Sequence, residues 1–224
     1  MNAKMNEIAK MHAANGVIII DPCNTYIDET VKIAPKAKIY PNTCLEGTTE
    51  IGENTVIHMG CCLKDTVVGA NCVLRYVVSD NARVADNVTI GPFVNLRPNT
   101  SIAPNCKIGD FVEVKNSNIG TGTKLPHLSY IGDADVGERV NVGCGTVFVN
   151  YDGYKKHRTT VGNDVFLGCN TNLVAPVTLH DNTFTAAGTT VTKDVMEGEL
   201  AVARSRQTNI SGWVARYAER NGKK

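Results

Sequence analysis

One period governs this chain. From Val84 to Val195 an aliphatic residue returns every six positions or so, as at Val84, Ile90, Leu96, Ile102, Ile108, Leu125, Val142, Val161, Leu167, Leu173 and Leu179. Four positions after such an opener sits a small or β-branched residue, for example Val88, Thr100, Cys106, Thr123 or Thr171. A helix repeats every 3.6 residues and a flat strand every 2. A beat of six fits neither and predicts a parallel β-solenoid with one short strand and one corner per hexad. Three hexads close one triangular coil. Openers and fifth-place residues point inward, while Gly, Asn and Asp take the corners because they tolerate left-handed backbone angles. A single coil cannot bury its own face, so coils must stack.

The beat sets the boundaries. Residues 17–195 form the expected solenoid, with weaker beats at Ile33, Ile39, Ile51, Ile57 and Val68 and two hexads one residue short, at Val114–Asn118 and Ile131–Asp135. Residues 1–16 read as a linker helix that places Met5, Ile8, Met11 and His12 on one face and stops at Gly16. Val17–Ile20 reads as a buried strand. The beat breaks once, and residues 151–160 form a polar, aromatic, basic loop thrown out of a rigid scaffold, a place where function is expected. Residues 196–224 are a C-terminal segment with a last helix over Trp213–Arg220, capped by Ser211, and a tail from Gly222.

Composition narrows the partners. Lys and Arg total 23 against 22 Asp and Glu, a net charge of +1, which gives no argument for nucleic acid or an anionic membrane. No apolar run has the length of a secretory core, about 7–15 residues, or of a membrane span. The eight Cys show no paired ligand spacing, and adjacent Cys61 and Cys62 suit neither tetrahedral zinc nor an easy disulfide. Free thiols in a reducing, cytoplasmic setting are expected.

Specific segments stand along the beat: Ile90–Pro98 (IGPFVNLRP), Gly109–Lys115 (GDFVEVK), His127–Asp133 (HLSYIGD), Asn141–Thr146 (NVGCGT), Asn150–Gly153 (NYDG), Gly162–Gly168, Leu173–Val177 (LVAPV) and Ala186–Val191. In this order they resemble the acetyltransferase domain of the bacterial bifunctional enzymes that make UDP-N-acetylglucosamine, in the hexapeptide-repeat acyltransferase family. The likeness covers essentially the whole chain, weakly before Val84. It implies an all-β fold, a left-handed parallel β-helix with short terminal helices, assembled as a homotrimer. It also implies acetyl transfer from acetyl-CoA, as co-substrate, to the amine of glucosamine 1-phosphate, with no metal needed and without the uridylyltransferase activity of the other half.

The resemblance assigns roles residue by residue. His127 matches the catalytic base, a role suited to a side chain that titrates near neutral pH, and Asn150 helps hold the reacting centre. Arg97, Lys115, Tyr130, Asn141, Asn150, Tyr151 and Lys156 match substrate contacts, the cations facing a sugar phosphate. Cys144, Cys169, Ala187 and Arg204 match acetyl-CoA contacts, Cys144 through its backbone N–H as oxyanion donor. The chain departs from the family at Cys144, Cys169, Pro126 and Asn99, none of which removes a catalytic group. Other readings are an acyltransferase acting on another amino sugar and a non-catalytic trimeric scaffold. A zinc carbonic anhydrase would need three converging His, and only His127 lies in the central beats.

Overall fold

The structure, a computed structural model, describes residues 3–222. Met1, Asn2, Lys223 and Lys224, and with them most of the expected tail, lie outside the described residues. Short parallel strands stack into a three-faced prism. Every opener and fifth-place residue named above is buried. Many interior threonines are satisfied by a backbone carbonyl near a corner: Thr55 donates to Gly69, Thr123 to Gly137, Thr171 to Gly168, whereas the buried Thr159 hydroxyl has no partner. Between successive coils the parallel ladder supplies backbone partners.

We number the faces by the first coil with regular corners. Face one carries Lys38–Ile39, face two Thr43–Glu46 and face three Glu50–Ile51. Two long strands, Lys107–Lys115 and Lys124–Gly132, turn the corner between faces one and two without a break and pair along their whole length. Coil length varies. Ala82 faces Thr100, eighteen residues on, whereas Ser101 faces Asn118, seventeen on, and Asn118 faces Asp135. The two shortened hexads are thus accommodated at Asn116 (φ 47°) and Asp133 (φ 51°), whose left-handed angles are tighter than the 62° of Asn99 and Asn105. Asn99 therefore fits its corner, Asn being one of the few side chains at ease there.

The three edges differ in kind. The edge between faces three and one is largely an Asn ladder, including Asn54, Asn71, Asn87 and Asn105 at positive φ. The edge between faces two and three carries Asn81, Asn99, Asn116 and Asp133. On the edge between faces one and two the left-handed corner is filled over four consecutive coils by Tyr76, Phe93, Phe111 and Leu128. Their side chains are exposed, and Tyr76, Phe93 and Phe111 stack with centroids 5.2 and 5.3 Å apart.

Several boundaries move. The first helix runs Ala3–Ala14 and packs on the first coil through Ile8, Ala9 and His12, while Met11 points to solvent. Only Val17 of the expected buried strand is buried; Ile18 and Ile20 are exposed. The inserted loop ends earlier than residue 160, because Thr159 already pairs with Ala134 in face three. The stack also continues past Val195, Leu200–Ala201 pairing with Phe184–Thr185. The last helix is Trp213–Arg220, but Gly212 occupies its N-cap in a left-handed conformation and Ser211 does not cap it. No residue of this helix is buried.

Candidate functional site

Strand register sorts the expected site residues into two sets, one on each side of the aromatic edge. On face one, Asp110 faces His127 directly. The same register carried along the stack, through Tyr130 to Val147, Asn141 to Phe166 and Phe166 to Phe184, places Cys144, Cys169 and Ala187 in that column on the following coils. Ladder bonds just past the column repeat the alignment: Gly145 N donates to Leu128 O, Asn170 N to Cys144 O and Gly188 N to Cys169 O. Neighbouring strands stand about 4.8 Å apart, so the column is a straight, shallow groove beside the ridge. It is walled by small residues: a Cβ at Gly143 would lie 2.6 Å from the Cys169 nitrogen and one at Gly168 2.6 Å from the Ala187 nitrogen. Asn141 lies on the same face, and Ala203, just before Arg204, is tied to Thr189 at the far end. Arg204 is exposed.

The His127 ring is open to solvent, its side chain 59% exposed. Its Nδ1 stands 3.6 Å from an Asp110 carboxylate oxygen, too long for a hydrogen bond. Pro126, half-buried on this strand, faces Gly109 through its backbone. Its carbonyl oxygen would lie 1.8 Å from a Cβ at residue 109, so Gly109 is what lets the two strands approach.

On face two the other set gathers around Asp133, a carboxylate that sequence reasoning did not single out. Asp133 is buried. It accepts hydrogen bonds from Asn116 and Asn150 and an ion pair from Lys115 Nζ at 3.3 Å. Burial pushes its pKa up, but these donors and the Lys115 charge outweigh burial and hold it below the ordinary carboxylate value. Asn150 Nδ2 also reaches the Tyr130 hydroxyl at 3.4 Å. Gly132 makes room for that contact, since a Cβ there would meet the Tyr130 oxygen at 2.4 Å. Arg97 stands in the next column and pairs with Glu113, 2.8 Å away, itself the register partner of Tyr130.

Lys156 returns from the loop beside Lys115. The neighbouring Lys115 ammonium, with Arg97 adding, pushes the Lys156 pKa down; Lys115, with Lys156 as hydrogen-bond partner and Asp133 as counter-charge, is pushed up. Three cations so close repel one another and are relieved by an anion. The loop is a tight hairpin, Tyr151 bridging Lys156 and Asp152 accepting from the Tyr154 and Lys155 nitrogens and from His157. Those contacts, the Lys155 N–H first, hold Asp152 well below the usual carboxylate range. Arg158 anchors the loop's end with two bonds to Asp135 and others to the Asn116 and Ala134 carbonyls. Tyr151 itself turns outward, its hydroxyl donating to Gly153 O, and does not join the Asp133 cluster in the single chain.

All eight cysteines are free, Cys169 exposed and Cys44 and Cys144 half-buried. Among the described residues no helix is long and apolar enough to cross a membrane.

Residues 81–116 match the family described as bacterial transferase hexapeptide (six repeats). Over 209 residues, 93% of its length, the chain is 54% identical to the bifunctional protein GlmU of Clostridium beijerinckii and covers 46% of that protein. It is 53% identical to the bifunctional protein GlmU of Caldicellulosiruptor saccharolyticus, covering 45% of it. The chain thus spans about half the length of these relatives. Among solved structures, an Arabidopsis UDP-N-acetylglucosamine acyltransferase superposes with a TM-score of 0.54 at 16% identity, over 93% of this chain and 76% of that one. That likeness concerns the fold alone, a left-handed parallel β-helix.

Proposed function

We propose that the chain is a hexapeptide-repeat acyltransferase and that it transfers acetyl from acetyl-CoA to the amine of glucosamine 1-phosphate, giving N-acetylglucosamine 1-phosphate for UDP-N-acetylglucosamine synthesis. The observation that carries this reading is the cationic cluster: Arg97, Lys115 and Lys156 come together beside Asn150 and Tyr130, with His127 on the strand that also holds Tyr130. An anionic sugar fits the cluster, Arg97 able to grip phosphate with two donors and each Lys adding charge. The GlmU relatives support the same reaction.

In this reading the pantetheine arm lies along the His127–Cys144–Cys169–Ala187 column, with Arg204 at its far end. The sugar amine attacks the thioester carbonyl carbon while His127 takes a proton from the nitrogen. The backbone N–H of Cys144 faces the oxyanion of the tetrahedral intermediate. The C–S bond then breaks, and the CoA sulfur leaves and recovers the proton from His127. Direct transfer needs no cysteine nucleophile. Asn150 steadies the amine, and Tyr130, Asn141 and Tyr151 complete the sugar pocket.

The two sets lie on adjacent faces of one prism, separated by the aromatic ridge. We infer a homotrimer in which that ridge meets its copies at the three-fold axis. Such packing sets face one of one protomer against face two of the next, so the groove and the cationic edge line one cleft. It also covers Tyr76, Phe93, Phe111 and Leu128, and brings a surface to the otherwise bare helix Trp213–Arg220. A large exposed apolar patch is what such an interface requires.

The test is a thiol-release assay on the purified chain. CoA should appear from acetyl-CoA only when glucosamine 1-phosphate is added. A faster reaction with glucosamine 6-phosphate, or with serine, would overturn the acceptor assignment; release independent of any acceptor would overturn the reaction.

A further inference from the structure

Two cysteines separated by one coil length, Cys44 and Cys62, are direct partners on neighbouring strands of face two. Strand side chains alternate, so Glu46, two residues past Cys44, projects from the same surface. The Cys44 thiol donates to Glu46 Oε1 at 3.2 Å. Both sulfurs and a Glu46 oxygen lie within 4.8 Å of one another. Beneath them Leu45 and Leu63 are fully buried, giving the triangle a rigid apolar floor. Its rim consists of Tyr26, facing Cys44 from the coil before, Val78, facing Cys62 from the coil after, and Lys64, opposite Glu46.

Two thiols and one carboxylate are a donor set for a borderline-soft ion. Thiolates select zinc-like or cuprous ions over magnesium and calcium, which prefer all-oxygen shells. Around tetrahedral zinc, with bonds of about 2.3 Å to sulfur and about 2.0–2.2 Å to oxygen, ligand atoms stand roughly 3.3–3.8 Å apart. The observed triangle reaches that size by small rotations about Cβ. We propose that Cys44, Cys62 and Glu46 bind a zinc-type thiophilic divalent cation, which clips two successive coils together with solvent in the fourth position. The sequence hid this site because its ligands lie one full coil apart rather than in a short paired spacing.

The reduced, metal-free chain would be titrated with Co²⁺ in the absence of oxygen. We expect one equivalent to bind with thiolate-to-cobalt charge-transfer absorption in the near ultraviolet and tetrahedral ligand-field bands, both bleached by one equivalent of Zn²⁺. Thermal midpoint should rise on metal addition, as for any ligand of the folded state. Cys44→Ser and Cys62→Ser should each abolish the charge-transfer band, while Glu46→Gln keeps it but binds at least roughly 10-fold more weakly, the lower end of what a lost metal-site interaction costs. Absence of the band in the wild type overturns the proposal. So does an unchanged band in the Cys44→Ser/Cys62→Ser double variant, which would place the cobalt on exposed Cys23 or Cys169. If the variants fail to fold, zinc-edge X-ray absorption of the wild type decides: two sulfur and two lighter ligands support the site, and any other shell overturns it.

Discussion

At the scale of single residues the chain separates chemistry from scaffolding. His127 is exposed on a strand whose neighbours Leu125 and Ser129 are buried, so its loss leaves the core intact. His127→Ala is expected to slow CoA release roughly 10²–10⁴-fold, the usual span for a lost general base, with an unchanged thermal midpoint. Equal rates for the two proteins would remove the residue from its role. Asp133 is the opposite case, a buried carboxylate whose loss is felt by the fold. Its pKa is depressed in the folded chain, so its stabilisation is complete above the unfolded carboxylate pKa and fades as pH falls through the folded value. The wild type should therefore lose stability over that acid window. Asp133→Asn should flatten the loss and cost about 1.5–3 kcal/mol at neutral pH, because Asn116 and Asn150 then lose an ionised acceptor. Denaturant melts from neutral to acid pH check both statements, and parallel curves would refute them. The roles proposed for His127, Lys115 and Asn150 rest on their flanking motifs. Asp133 was not legible in the sequence, because an Asp at a solenoid corner reads as a turn former until its buried partners are seen.

At the scale of elements the legible part was the beat and the illegible part was the register. Six-residue spacing identified the interior side chains, because an inward residue at a fixed place in each hexad is what stacking requires. Which residues align from coil to coil depends on small changes in coil length. Val73 faces Thr89 sixteen residues on, Lys107 faces Lys124 seventeen on, and Asn141 faces Phe166 across the loop, twenty-five on. A reader of the sequence sees His127, Cys144, Cys169 and Ala187 as scattered, whereas accumulated register makes them one line. The continuation of the stack past Val195 was hidden for a related reason: its strand Leu200–Ala201 is too short to show a period. Close approach between the two corner-turning strands gives a prediction at this scale. Gly109→Ala would drive a methyl against the Pro126 carbonyl, backbone against backbone, and the strand carrying His127 must shift. We expect a lower thermal midpoint together with a fall in kcat, whereas Gly153→Ala, in open space but at positive φ, should cost about 1 kcal/mol or so of loop strain and little more. If Gly109→Ala matched wild type in both readouts, the groove would tolerate a misplacement that its geometry forbids.

At the scale of the whole molecule the strongest asymmetry is among the three edges. Two are lined chiefly by polar corner residues, as expected of surfaces that meet water. The third bears Tyr76, Phe93, Phe111 and Leu128, bulky side chains held at left-handed angles where Asn or Gly is more comfortable. A bulky residue in that conformation costs roughly 1–2 kcal/mol, and the contacts among Tyr76, Phe93 and Phe111 offset only part of that. Four in a row are accounted for if burial between copies offsets the strain, at about 25 cal/mol for each Å² of apolar surface removed from water. The same contact would explain why the cationic edge and the groove occupy different faces of one chain. The double substitution Phe93→Glu/Phe111→Glu places charges at the centre of that contact and takes no residue from either set of site side chains. Sedimentation velocity should report a trimer for the wild type and a monomer for the variant. Acetyl transfer should fall with the trimer, although His127 and the three cations are untouched. Far-UV circular dichroism should stay unchanged, since the rings lie outside the prism. A fully active monomer would sink the shared-cleft arrangement and place the whole site within one chain.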